Sequence, residues 1–89
     1  MPTISKKQRI VRALAAPYLL LWDEPNWLVV RSLSRAHNLR LTIHFVSDDV
    51  ALCYKHRGPF GLINKLLAKE GLYIDVYDGD LMASVIREL

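Results

Sequence analysis

Apolar and polar residues alternate most cleanly over residues 39–57, and this predicts a β-hairpin with arms at about 39–46 and 50–57. In the first arm Leu39, Leu41, Ile43 and Phe45 share one face while Arg40, Thr42, His44 and Val46 share the other, the period of two of a half-buried strand. A connection of two or four residues around Ser47, Asp48 and Asp49 sets Phe45 opposite Leu52, Ile43 opposite Tyr54 and Leu41 opposite His56. The same register sets Val46 opposite Ala51, His44 opposite Cys53 and Thr42 opposite Lys55 on the second face. One face is then core, and the remaining chain is expected to cover it with helices.

Before the hairpin, Ser5 can cap a helix beginning at Lys6, with Ile10, Val11, Leu14 and Ala15 on one side and Lys6, Arg9 and Arg12 on the other. Basic residues in its first turn oppose the helix dipole, so this helix needs tertiary packing or a bound anion. Pro17 ends it, and residues 18–22 read as a short buried strand, a kinked helix through Trp22 being the rival. Asp23, Glu24 and Pro25 form a helix-start pattern, predicting a second helix to about His37 with Val29, Val30, Leu33 and Ala36 inside and Arg31 and Arg35 outside. Asn38 is a left-handed stop.

Beyond the hairpin, Gly58 and Pro59 break the strand, and residues 60–70 form a helix with Leu62, Ile63, Leu66 and Leu67 inside, Lys65 and Lys69 outside, and Gly71 closing it. Residues 72–77 are a strand by composition. Two arrangements remain for the C-terminal segment: a helix capped by Asp80 with Leu81, Met82, Val85, Ile86 and Leu89 on one stripe, or a hairpin in which Val76 faces Leu81, Ile74 faces Ala83 and Leu72 faces Val85. Periodicity over nine residues favours the helix. The predicted fold is an α/β (α+β) sandwich, a small mixed sheet built on the central hairpin and covered by three to four helices.

Composition adds limits. The 89 residues make one domain, 1–89, with 52% hydrophobic and 24% charged residues, as in ordinary globular proteins. The net charge of +3 is unevenly placed: residues 1–40 hold seven basic side chains against two acids, and residues 41–89 hold five against seven. Cys53 is the single cysteine, so no internal disulfide forms and a reducing, cytoplasmic setting is the simpler expectation. The longest apolar run, 13–22, contains Pro17 and is about half the roughly 20 residues of a spanning helix, so no membrane span is expected. Acids and Pro25 stand where a secretory cleavage site would want small residues.

Candidate chemistry is sparse. His44 across from Cys53 could lower the thiol pKa, but no third group orients the histidine and no oxyanion-hole motif accompanies it. Cys53, His56 and His44 lack the fourth ligand of a zinc site, only Cys53 and His56 being closely spaced, and the acids Asp75, Asp78 and Asp80 lack the remaining ligands of a calcium loop. No catalytic residue, metal or cofactor is therefore expected. The sequence points to a non-enzymatic protein that occupies a macromolecular partner's surface, as an inhibitor or adaptor does. Its contact set is Trp27, Arg31, Arg35, Asp48 and Asp49. The alternative is nucleic-acid binding through Lys6, Lys7, Arg9, Arg12, Arg31 and Arg35. Unprotected sheet edges also allow a homodimer.

Overall fold

A computed structural model of the chain describes residues 4–33, 38–57, 60–75 and 83–89. It consists of helix α1 (Lys6–Ala13), strands β1 (Leu19–Asp23), β2 (Trp27–Ser32), β3 (Arg40–Phe45) and β4 (Ala51–Arg57), helix α2 (Phe60–Ala68), and strands β5 (Leu72–Asp75) and β6 (Ala83–Glu88). The six strands form one sheet in the order β1-β2-β3-β4-β6-β5, and every neighbouring pair is antiparallel. The first four strands are a meander. After β4 the chain crosses through α2 to the far edge, lays down β5, and returns as β6 into the gap between β4 and β5.

The predicted mixed sheet under three to four helices is thus replaced by a wholly antiparallel sheet with two short helices among the described residues. Two expected helices are strands. The first, expected over 23–37, gives way in its described part to a tight turn and β2, residues 34–37 lying outside the described residues: Glu24 and Trp27 exchange backbone hydrogen bonds of 2.8 and 3.3 Å around Pro25 and Asn26. Proline suits the first corner of a turn as well as it suits a helix start. β2 is rich in β-branched and aromatic residues, and it bonds on both sides, to β1 and to β3. The second, expected over 80–88, is strand β6 over 83–88, residues 80–82 lying outside the described residues; its Leu52↔Val85 and Ile74↔Ile86 pairings place it between two strands. The hairpin alternative for this region has the right partners in a different register: Ile74 faces Ile86, not Ala83.

The central hairpin forms where the alternation predicts it, but its register is shifted by one. Five residues, 46–50, connect the arms, with Val46 and Ser47 both donating to the Val50 carbonyl. An odd connection reverses the parity expected from two or four. Phe45 therefore faces Ala51, Ile43 faces Cys53 and Thr42 faces Tyr54. Cys53 is fully buried beside Ile43, while His44 pairs with Leu52 on the opposite face.

The core lies on one side of the sheet. Leu28 and Val30 of β2, Leu41, Ile43 and Phe45 of β3, Ala51 and Cys53 of β4, Leu72 and Ile74 of β5 and Ile86 of β6 are buried against Ile10 and Ala13 of α1, Leu14 just beyond it, and Ile63, Leu66 and Leu67 of α2. Residues of one strand parity thus all point to the helices. α1 begins as predicted, with a full capping box: Ser5 Oγ accepts from the Gln8 amide at 3.2 Å and Gln8 Oε1 from the Ser5 amide at 3.1 Å. Gly71, with φ +70°, closes α2 in the left-handed conformation expected of it. Asn38 also has positive φ, at 41°, though it precedes β3 instead of ending a helix. β1 is an edge strand and not a buried one: Leu20 and Trp22 are exposed.

Candidate docking face

Because both helices lie on one side, the other side of the sheet is left open among the described residues. Cross-strand register orders its side chains into rows. Trp22, Val29, Thr42 and Tyr54 line up across β1 to β4, and Trp27, His44, Leu52, Val85 and Asp75 line up from β2 to β5. Toward one end of the strands a third row runs Leu20, Arg31 and Arg40.

The middle of this face is apolar, and its β1–β2 corner is aromatic. Trp27 and His44 stack with ring centroids 4.2 Å apart and planes within 10°. Trp22 is 64% exposed and Trp27 42%, large values for tryptophan side chains in a folded domain. The Trp22 indole donates to Glu24 Oε1 at 2.6 Å, which fixes its edge and leaves its ring faces open. Val29, Leu52, Tyr54, Val85 and Tyr73 are half-buried, shaded by one another with no covering layer among the described residues.

Charge on the face is dominated by arginine. Arg87 is neutralised by Asp75, Nε to Oδ2 at 2.7 Å. Arg31 and Arg40 stand directly across from each other on β2 and β3, both exposed, and neither holds a carboxylate among the described residues. Like charges at paired positions destabilise a sheet. Two cations here therefore add nothing to folding that a neutral pair would not.

The basic residues of α1 are placed differently. Lys6 donates to the carbonyls of Asp49 at 2.8 Å and Ile86 at 3.0 Å. Lys7 reaches the carbonyls of Glu24 and Pro25 at 3.0 and 3.2 Å and the Asp23 carboxylate at 3.1 Å, and it lies 5.5 Å above the Phe45 ring. Arg9 binds Glu88 and the Glu70 carbonyl, and Arg12 binds Glu70. Oxygens of the chain itself thus supply the compensation that a basic first turn requires. The Arg12 guanidinium holds the Glu70 carboxyl below its ordinary 4.5, Arg9 does the same to Glu88, and the contact with Glu70 raises the pKa of Arg12 in turn.

The residues singled out from sequence are therefore divided. Trp27 and Arg31 sit on the open face. Asp48 and Asp49 occupy the β3–β4 turn on the helix side, where with Ile4, Ser5, Lys6, Arg9 and Glu88 they line a shallow cleft of about 360 Å³. Arg35 lies outside the described residues. Trp22, Arg40, His44, Tyr54 and Leu52 complete the face, and the signal for Arg40 and His44 was the outward parity of β3. Cys53 and His44 stand on opposite faces, so imidazole does not adjoin the thiol. No group of three histidine, cysteine or acidic side chains converges among the described residues, and no described helix is long and apolar enough to cross a membrane. Compared with protein-family models, with curated proteins and with solved structures, the chain matches none.

Proposed function

We propose that the chain is a non-enzymatic binding protein that docks the open face of its sheet on a protein partner with an apolar centre and an acidic rim. The observation that carries this reading is the pairing of exposed Trp22 and Trp27 with Arg31 and Arg40, which hold no carboxylate among the described residues, on a surface that no described element covers. Tryptophan, tyrosine and arginine are the residues over-represented at interface centres, and lysine and acids are depleted there. The described open face carries no lysine, and its two acids are engaged within the chain, Asp75 by Arg87 and Glu24 by the Trp22 indole.

Nucleic acid is the second reading, favoured by the same arginines and aromatics. Two features weigh against it. Single-strand binders stack successive bases on aromatic rings along a positively charged groove, whereas here Val29, Leu52 and Val85 interrupt the aromatic side chains and Arg87 is neutralised by Asp75. In addition, Lys6, Lys7, Arg9 and Arg12 are held by the chain's own oxygens and are not presented together to a phosphate backbone.

The test is capture from host extract on the immobilised chain, comparing wild type with Trp27→Ala, with Arg31→Glu plus Arg40→Glu, and with Lys69→Glu at an exposed position just beyond α2. Anchor tryptophans contribute about 2 kcal/mol or more, so Trp27→Ala should weaken a retained acidic protein about 30-fold. The double arginine variant should abolish retention and Lys69→Glu should leave it unchanged. Equal retention by all four would remove the reading. Salt-sensitive binding of generic single-stranded or duplex oligonucleotides, lost in the arginine variant, would replace it with the second.

A further inference from the structure

We infer that the chain forms a homodimer by antiparallel pairing of β1 with β1 of a second copy, joining two six-stranded sheets into one. The two edges of the sheet are not equivalent. At the β5 edge, the Leu89 amide donates to the Gly71 carbonyl, so odd-numbered residues of that strand bond to β6 and the Ile74 amide points outward. That amide is already bonded to Asn64 Oδ1 of α2 at 2.7 Å, so an added strand would have to displace a side chain of the protein itself. Covering an edge in this way is a common protection against strand addition.

The β1 edge has no such cover among the described residues. Tyr18 accepts from the Leu33 amide and Glu24 exchanges bonds with Trp27, so even-numbered residues of the strand bond to β2, and Leu19, Leu21 and Asp23 direct their backbone groups outward. The Leu19 amide turns back to the Ala16 carbonyl at 3.0 Å. The edge therefore presents the amides of Leu21 and Asp23 and the carbonyls of Leu19, Leu21 and Asp23. Residues 19–23 include no lysine, proline or bulge to repel another strand.

This edge is complementary to itself. With a two-fold axis through Leu21, Leu21 exchanges backbone bonds with Leu21 of the second copy, and the Asp23 amide meets the Leu19 carbonyl of the second copy, with the reverse by symmetry. Side chains agree with the backbone. Leu20 falls opposite Trp22 of the second copy on the open face, so the two most exposed apolar side chains of the strand, at 46% and 64%, meet side by side while their outward surfaces stay open. Asp23 falls opposite Leu19, so no like charges meet, and its carboxylate stays with Lys7. The pairing does not depend on what occupies the open face, although it places the two open faces side by side in one surface.

Sedimentation equilibrium over a wide dilution series, together with amide hydrogen exchange, tests the pairing. Expected are a mass of twice 10.2 kDa at high concentration, and protection of the Leu21 amide that rises with concentration. Leu20→Glu with Trp22→Glu sets acids against acids across the axis and should return the monomer mass. Leu20→Glu with Trp22→Lys restores opposite charges across it and should restore the dimer and the Leu21 protection. Both pairs of substitutions fall on exposed side chains, so thermal melts should show each variant folded. A monomer at all concentrations, a dimer with an unprotected Leu21 amide, or two double variants that associate equally would each overturn the assignment. A face-to-face dimer would appear as the second of these, and β1 capturing only foreign extended peptides as the first.

Discussion

The burial of Cys53 depends on one odd-length turn, and that makes its thiol a direct probe of the register of the whole sheet. Cys53 is fully buried opposite Ile43, with β6 on its other side. Had the connection held two or four residues, Cys53 would lie beside His44 on the open face and react with any small reagent. In the observed register it reacts only when the structure opens. Domains are stable by about 0.05–0.15 kcal/mol per residue, so this one should lie at about 4 kcal/mol or above. Labelling by a neutral-pH thiol reagent should then run about 1,000-fold or more below the rate in denaturant. Ile43→Ala removes a fully buried side chain packed beside the thiol and should cost about 3 kcal/mol. If opening limits access, the same substitution should raise the native labelling rate about 100-fold, matching its effect on the urea midpoint. A native rate within about tenfold of the denatured one, far above what opening permits, would refute the register. So would an Ile43→Ala variant that is destabilised yet labels no faster.

Acid should weaken the domain through the contacts that anchor α1. Glu70 and Glu88 titrate below 4.5 in the folded chain because Arg12 and Arg9 stabilise their carboxylates. Their contribution is therefore complete above the unfolded value and is lost as pH falls through the lower folded values. Urea midpoints should decline below about pH 4.5, and Glu70→Gln with Glu88→Gln should flatten that decline; an unchanged slope would discount both pairs. Asn64→Ala leaves the Ile74 amide without its acceptor and should cost about 1 kcal/mol, lowering Tm by about 4–8 °C, whereas Asn64→Asp keeps an acceptor and should lose less. Equal melting temperatures for the two variants would discount this role.

Local signals located several elements of the fold. The capping box at Ser5, the apolar stripe of α2 and the glycine that closes it act within a few residues, so their outcome is settled by near neighbours. The alternation in β3 likewise marked which of its faces is core. The failures have a common cause. β2 and β6 each lie between two strands and carry apolar residues on both faces: Leu28 and Val30 inward with Trp27 and Val29 outward, and Ile86 inward with Val85 outward. A strand whose outer face is apolar loses its period of two, and a helical stripe can be drawn through it. The same uncovered apolar face that makes the candidate docking surface thus hid the strands that build it.

The sequence by itself determined where α1, the central hairpin and α2 lie, which residues are greasy enough to be buried, and that α1, with its basic first turn, would need tertiary packing or a bound anion. Only the tertiary structure decided that residues 27–32 and 83–88 extend, because strand hydrogen bonds come from distant segments while helical ones come from within. It also decided the side of the sheet on which Cys53 and Trp27 fall. That choice rests on a five-residue turn and on two helices packing against the same face, and neither is written in the local pattern of any one strand.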